Sequence, residues 1–218
     1  MKVIVFDMDD TLYDELTYVK SGFRATAAYL NERYGIPQED AFTHMNNTLQ
    51  FEGRGAVFNK VLQAYGLENR SRVIDCIKQY RHHKPQIELY PDAVAVLTQL
   101  SSYPVYIVTD GHKEAQHRKL EALGLYSRVK KCYITHRYGK HHAKPSPYCF
   151  QQIAKRENMA AAEIVYIGDN VNKDFVGIKP LGFRTVQIMR GSYVHAVRPE
   201  SYQADSKINS LIEIIDML

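Results

Sequence analysis

The chain is poor in the features that mark specialised environments. Its three cysteines, Cys76, Cys132 and Cys149, are an odd number without C-x-x-C spacing among 218 residues. That argues against a disulfide framework or a structural zinc site, and the thiols read as reduced and buried. No apolar run approaches the roughly 20 residues that cross a bilayer. Before Asp7 the amino terminus offers one lysine and four apolar residues, too few for a signal peptide, so a cytoplasmic protein with no membrane partner is expected. There is no basic block either. Lys and Arg give a net charge of +4 but are interspersed with Asp and Glu, so no nucleic-acid partner is expected, only a weak attraction for anions. Low-complexity tracts and internal repeats are absent from the sequence.

What is there fits a soluble globular chain, 45% hydrophobic and 24% charged, long enough for one core with a smaller inserted unit. Short apolar runs at Val3 to Phe6, Val105 to Val108, Cys132 to Ile134, Ile164 to Ile167 and Thr185 to Ile188 predict buried strands. Between them the spacing predicts a helix from His112 to Leu123 closed by Gly124, and another with Ser146 as N-cap, Pro147 in its first position and Phe150, Ile153 and Ala154 facing inward. Leu211, Ile215 and Leu218 predict a carboxyl-terminal helix. Alternation of strand and helix implies an α/β fold with a doubly wound parallel sheet.

Residues 16–85 differ. Leu16, Val19, Phe23, Ala27, Leu30 and Tyr34 recur at helical spacing, as do Phe42, Met45 and Leu49, then Val57, Val61 and Tyr65, then Val73, Ile77 and Tyr80, with Gly35, Gly53, Gly55 and Gly66 as breaks. A smaller all-helical domain of four helices over 16–85 is expected, with residues 1–15 and 86–218 forming the α/β core.

Three predicted strands end in an oxygen-bearing group: Asp7, Thr109 and Asp169, the last after Gly168. Ligands of open α/β sheets bind beyond the carboxyl ends of the strands, so the three groups are expected in one crevice, with Asp9 on the loop of Asp7. Lys144 precedes a helix start and can point into the same place. Carboxylates so gathered repel one another unless a cation joins them, and ligands that are all oxygen favour Mg²⁺. A phosphate group would be offset by that ion and Lys144, with Thr109 donating a hydrogen bond.

The segments Asp7-Met8-Asp9-Asp10-Thr11, Thr109-Asp110-Gly111, Lys144-Pro145 and Gly168-Asp169-Asn170-Val171-Asn172-Lys173-Asp174 resemble, in order, the four motifs of the haloacid dehalogenase superfamily. The resemblance implies that Asp7 attacks phosphorus to give an aspartyl phosphate, while Asp9 protonates the leaving alcohol and then activates water. It implies Mg²⁺ on the side chains of Asp7 and Asp169 and the backbone carbonyl of Asp9, with Asp174 holding the metal shell and the motif lysine. Dehalogenases of the superfamily lack the second aspartate, so Asp9 favours phosphoryl chemistry. The helical insert resembles a cap that closes over small substrates. The implied activity is hydrolysis of a small phosphorylated metabolite such as a sugar phosphate, a nucleoside monophosphate or a phosphoglycolate-like acid.

Bland readings stand beside these. Asp10 reads as a turn or cap residue, and Asp110 as meeting phosphate through its backbone N–H more than its carboxylate. His82-His83 and His141-His142 read as surface residues, since adjacent side chains diverge. Arg54, between two glycines, could bind an anionic substrate group or be solvated, and the tyrosines suggest packing. Alternative functions are a phosphosugar mutase or a catalytically silent binding protein. A phosphonate hydrolase would need a cap lysine, and Lys20 and Lys60 have no special context. Either a monomer or a homodimer is compatible.

Overall fold

The computed structural model describes residues 2–218. The chain divides into two compact units, Leu16–Gln86 and a discontinuous one of Met1–Glu15 with Ile87–Leu218.

Helices α1 (Glu15–Tyr34), α2 (Gln38–Glu52), α3 (Val57–Ala64) and α4 (Arg70–His82) supply the first. Val19, Phe23, Ala27 and Leu30 on α1 join Met45, Val61, Leu62 and Cys76 in its core, as their three- and four-residue spacing requires. Leu16, expected on that stripe, is instead 40% exposed. Turns come where backbone of positive φ is needed: Gly35, Gly53 and Gly66 have φ of 71°, 80° and 63°. Asn69 caps α4, its side chain accepting from Ser71 N at 2.8 Å. At Gly22 a Cβ would lie 2.4 Å from the Tyr80 ring, so α1 and α4 approach through a glycine.

The second unit is built on strands β1 (Val3–Phe6), β2 (Val105–Thr109), β3 (Lys131–Ile134), β4 (Ile164–Gly168), β5 (Arg184–Ile188) and β6 (Ser206–Ile208). They form one parallel sheet in the order β3-β2-β1-β4-β5-β6. Every residue of β1, β2 and β4 is buried, which is why these strands read as unbroken apolar runs. Val3, Val5, Tyr106, Val108, Ile164 and Tyr166 share a face by register and by packing. Helices α5 (Pro91–Gln99), α6 (Lys113–Ala122) and α7 (Tyr148–Glu157) complete the unit. Cys149, Phe150 and Ile153 of α7 pack on that face.

Two expectations need correction, and two elements lie outside the expected set. The helix expected near Pro147 starts at Tyr148, but Pro147, not Ser146, takes the cap position, with Ser146 Oγ accepting weakly from Tyr148 N at 3.4 Å. The carboxyl-terminal helix is a 3₁₀ segment, Leu211–Met217, burying Leu211 and Ile214; a three-residue period, not a spacing of four, faces inward. α5 was not expected, although Pro91 opens it in the favoured first position. Nor was β6, whose three residues are too few to show a period.

Candidate active site

The sheet order places β1 between β2 and β4, so the strands ending in Asp7, Thr109 and Asp169 are neighbours. Chain reversal occurs there too: β1 to β3 run toward one edge and β4 to β6 toward the other, the topological switch at which open α/β sheets bind ligands. Asp7 N donates to Ile167 O at 2.8 Å, fixing the start of its loop to β4.

Asp7, Asp169 and Asp174 are all buried, and one carboxylate oxygen from each lies within 4.8 Å of the others. Lys144, on the turn ahead of α7, enters this group. Its Nζ is 2.9 Å from Asp7 Oδ1 and 2.8 Å from Asp174 Oδ1, and it donates to the Tyr166 hydroxyl at 2.7 Å. Burial alone would lower the Lys144 ammonium, but Asp174 and Asp7 overrule it and hold the charge well above the ordinary range. One cation does not neutralise three carboxylates. Burial, and then the remaining carboxylates, push Asp7 up to about 7 and Asp169 up to about 9.

Asp174 is engaged at both oxygens. Oδ1 accepts from Tyr166 as well as Lys144, and Oδ2 accepts from Asn170 N at 2.9 Å. At Gly168 a Cβ would stand 2.5 Å from Asp174 Oδ2, so glycine is needed for the carboxylate to reach this position. Asp174 thus accepts three hydrogen bonds where the Asp7 carboxylate, among the described residues, meets only Lys144, and a hard oxygen-seeking cation such as Mg²⁺ fits the donor set of the three carboxylates and its excess negative charge.

Asp9 is turned into a different set of partners. Its Oδ1 accepts from Lys119 Nζ at 2.7 Å and from the Tyr13 hydroxyl at 2.5 Å, and its Oδ2 from Gln116 Nε2 at 2.7 Å. Burial opposes ionisation, yet Lys119, Tyr13 and Gln116 together bring Asp9 below the usual carboxylate range. Gln116 Nε2 also donates to Thr109 Oγ1 at 2.7 Å, which leaves the threonine O–H as a donor. Lys119 and Gln116 were not singled out from sequence. The signal was there: both lie on the inward stripe of α6 with Leu120 and are buried, a place where a polar residue must have a partner.

The Asp110 carboxylate is taken by Lys173 Nζ at 2.9 Å, Thr135 Oγ1 at 2.8 Å and Lys144 N at 3.1 Å. It ties together the loops after β2, β3 and β4, and its negative charge, spent on Lys173, leaves the backbone N–H as the group suited to a phosphate. Asp10, at φ 52°, accepts from Glu15 N at 2.9 Å and caps the start of α1. Arg54 belongs to the helical unit, exposed on the 3₁₀ turn Arg54–Ala56.

A family model described as haloacid dehalogenase-like hydrolase matches residues 1–182. The chain is 30% identical to the glyceraldehyde 3-phosphate phosphatase of Methanocaldococcus jannaschii over all of its length and 97% of that protein's. It is 26% identical to the phosphoserine phosphatase of Thermus thermophilus, covering 98% of each. Among solved structures, the putative HAD-hydrolase YfnB of Bacillus subtilis, bound to magnesium, shares the fold at a TM-score of 0.69 and 20% identity, covering all of this chain and 98% of that one. The four ordered motifs and their placement on adjacent strand ends thus have the origin the match gives them: the chain belongs to the haloacid dehalogenase-like hydrolases.

Proposed function

We propose that the protein hydrolyses phosphomonoesters of small metabolites through an aspartyl-phosphate intermediate on Asp7. The chain is a phosphatase of its family; the substrate, the metal and the residue roles are our reading. The observation that carries it is the pairing of Lys144 with both Asp7 and Asp174 beside a third buried carboxylate, Asp169. Such a site has fewer positive charges than it needs before substrate arrives. It suits a cation and a phosphate brought together, where positioning and charge neutralisation supply most of the acceleration.

Mg²⁺ would be held by the side chains of Asp7 and Asp169 and the carbonyl of Asp9, and when bound it offsets the charge of the transferring phosphoryl group. Asp7 forms the bond to phosphorus. Lys144 and the Thr109 hydroxyl bind the phosphoryl oxygens, with the Asp110 N–H beside them. Asp9 gives a proton to the leaving oxygen and later takes one from water. Its surroundings favour the ionised form needed for the second role; the charge of an arriving phosphate favours uptake of the proton needed for the first. Asp174 keeps Lys144 oriented. The relatives named for glyceraldehyde 3-phosphate and phosphoserine narrow the proposed substrates toward short phosphorylated chains. The helical unit is assigned the choice among them, with Arg54 as a candidate contact for an anionic group.

The test is phosphate release from a panel of phosphorylated metabolites with Mg²⁺ and with chelator. Metal-dependent release that disappears in Asp7→Asn supports the reading. Substantial turnover by metal-loaded Asp7→Asn would sink the nucleophile assignment. Arg54→Ala should weaken substrates that carry an anionic group besides the phosphate more than those that do not.

A further inference from the structure

We propose that Lys119, with Gln116, is a positioning residue that fixes the Asp9 carboxylate for proton exchange with the leaving group. The inference deepens the phosphatase reading and rests on it. Lys119 has a side chain only 4% exposed, and a lysine is buried this far only when its ammonium is paired. It comes from α6, over a hundred residues from the loop it contacts, and reaches Asp9 Oδ1 at 2.7 Å, with Glu15 Oε1 farther off at 3.7 Å.

Lone-pair accounting gives the contact its meaning. A carboxylate oxygen accepts about two hydrogen bonds. Oδ1 receives both of its donors, Lys119 and Tyr13, whereas Oδ2 receives one, from Gln116. Oδ2 is therefore the oxygen left to carry the travelling proton. Gln116 donates from the same nitrogen to Thr109 Oγ1, so the proton-carrying oxygen is held at a set place relative to the phosphate-binding hydroxyl. In the first half-reaction an Asp7 oxygen bonds to phosphorus, and the ester P–O bond breaks with its electron pair going to the leaving oxygen. The proton on Asp9 Oδ2 passes to that oxygen. In the second, a water gives its proton to Oδ2 as its oxygen bonds to phosphorus and the bond to Asp7 breaks. Lys119 touches none of the reacting atoms; it acts by preventing rotation of the Asp9 carboxylate.

A positioning role makes a prediction that a purely structural role does not. Loss of Lys119 should matter in proportion to how much the leaving group needs a proton. The experiment compares single-turnover cleavage of 4-nitrophenyl phosphate, whose phenol leaves without one, with that of glycerol phosphate, whose alcohol does not. Lys119→Met should lower the glycerol phosphate rate on the order of 10²-fold, the scale of one positioned acid. The aryl rate should fall about tenfold less, and Lys119→Arg should recover most of the alkyl rate. Equal falls on the two esters, or no fall on the alkyl one, would overturn the assignment while leaving the phosphatase reading intact. If the unaltered protein with Mg²⁺ releases phosphate from neither ester nor from any member of the metabolite panel, the proposed phosphoryl chemistry at Asp7 fails and this inference fails with it.

Discussion

The Tyr166 hydroxyl donates to Asp174 Oδ1 at 3.1 Å while accepting from Lys144 Nζ at 2.7 Å. The tyrosine, from the middle of β4, is fully buried, and it links the cation and the carboxylate that flank Asp7. Tyr166→Phe keeps the ring and removes one hydrogen bond to a charged partner on each side. A loss of about 1.5–3 kcal/mol is expected, read from urea denaturation.

Gly177 has a backbone neighbour where a side chain would begin. A Cβ there would sit 1.7 Å from the Pro145 carbonyl oxygen, and a carbonyl cannot step aside as a side chain can. Gly177→Ala should cost about 3 kcal/mol, the upper end of overpacking, and lower activity by displacing Lys144. Gly66→Ala is the control: that site has positive φ but open space around it, so about 1–2 kcal/mol from the backbone alone is expected.

Metal should act as a stabiliser whose effect grows with pH. Asp7 and Asp169 have ordinary values of 3.8 and stand at about 7 and about 9 in the folded site. The folded state therefore holds protons that the unfolded chain has lost. The stability these groups contribute is complete below pH 4 and is lost as pH rises through about 7 and then about 9. Asp9 and Asp110, shifted down, contribute in the other sense: their share is present above 3.8 and lost in acid. In chelator the melting temperature should decline between neutral pH and pH 9. Mg²⁺ at a hundred times its Kd should add about 2.7 kcal/mol, or about 5–10 °C. A melting temperature indifferent to Mg²⁺ at pH 8 would count against a metal on these carboxylates.

The carboxyl-terminal segment hangs on Asp92. This side chain accepts from Arg190 Nη1 at 3.1 Å, Arg190 Nη2 at 2.5 Å, Leu211 N at 2.9 Å and Ser210 Oγ at 3.3 Å. Asp92→Ala should cost about 2 kcal/mol by stranding the buried Leu211 N–H and the guanidinium. Asp92→Asn should cost less, because an amide oxygen still serves Leu211. Calorimetry on the two variants separates these outcomes.

The α/β core was legible where burial is complete. β1, β2 and β4 announce themselves because both faces are covered, and the groups at their ends follow from chain direction alone. Asp169 was legible as a residue just past a strand and Lys144 as one just before a helix, whereas Asp174, six residues beyond β4, came only from the resemblance of its segment to the fourth family motif. What escaped was short or depended on tertiary partners. β6 has three residues, and the final segment, opened by Glu213 Oε1 accepting from Asn209 N and Ser210 N, takes a 3₁₀ period that the spacing of Leu211, Ile215 and Leu218 does not show. Lys119 and Gln116 share the stripe of Leu120 on α6, which marks them as facing inward, but nothing local names Asp9, which is distant in sequence, as their partner. Leu16 failed in the opposite sense: its spacing fits the buried stripe, but it stands at the end of that stripe and is 40% exposed.

The Gln116 amide nitrogen, shared between Asp9 and Thr109, makes two functions hard to vary separately. A substitution at either oxygen frees a buried donor that the other must then satisfy alone, so paired changes at Asp9 and Thr109 should be non-additive. Exchanging the proton-transfer group for another chemistry would also require rehousing that amide. A lineage leaving phosphate ester cleavage would thus be expected to change α6 together with the loop after β1, and not the loop alone.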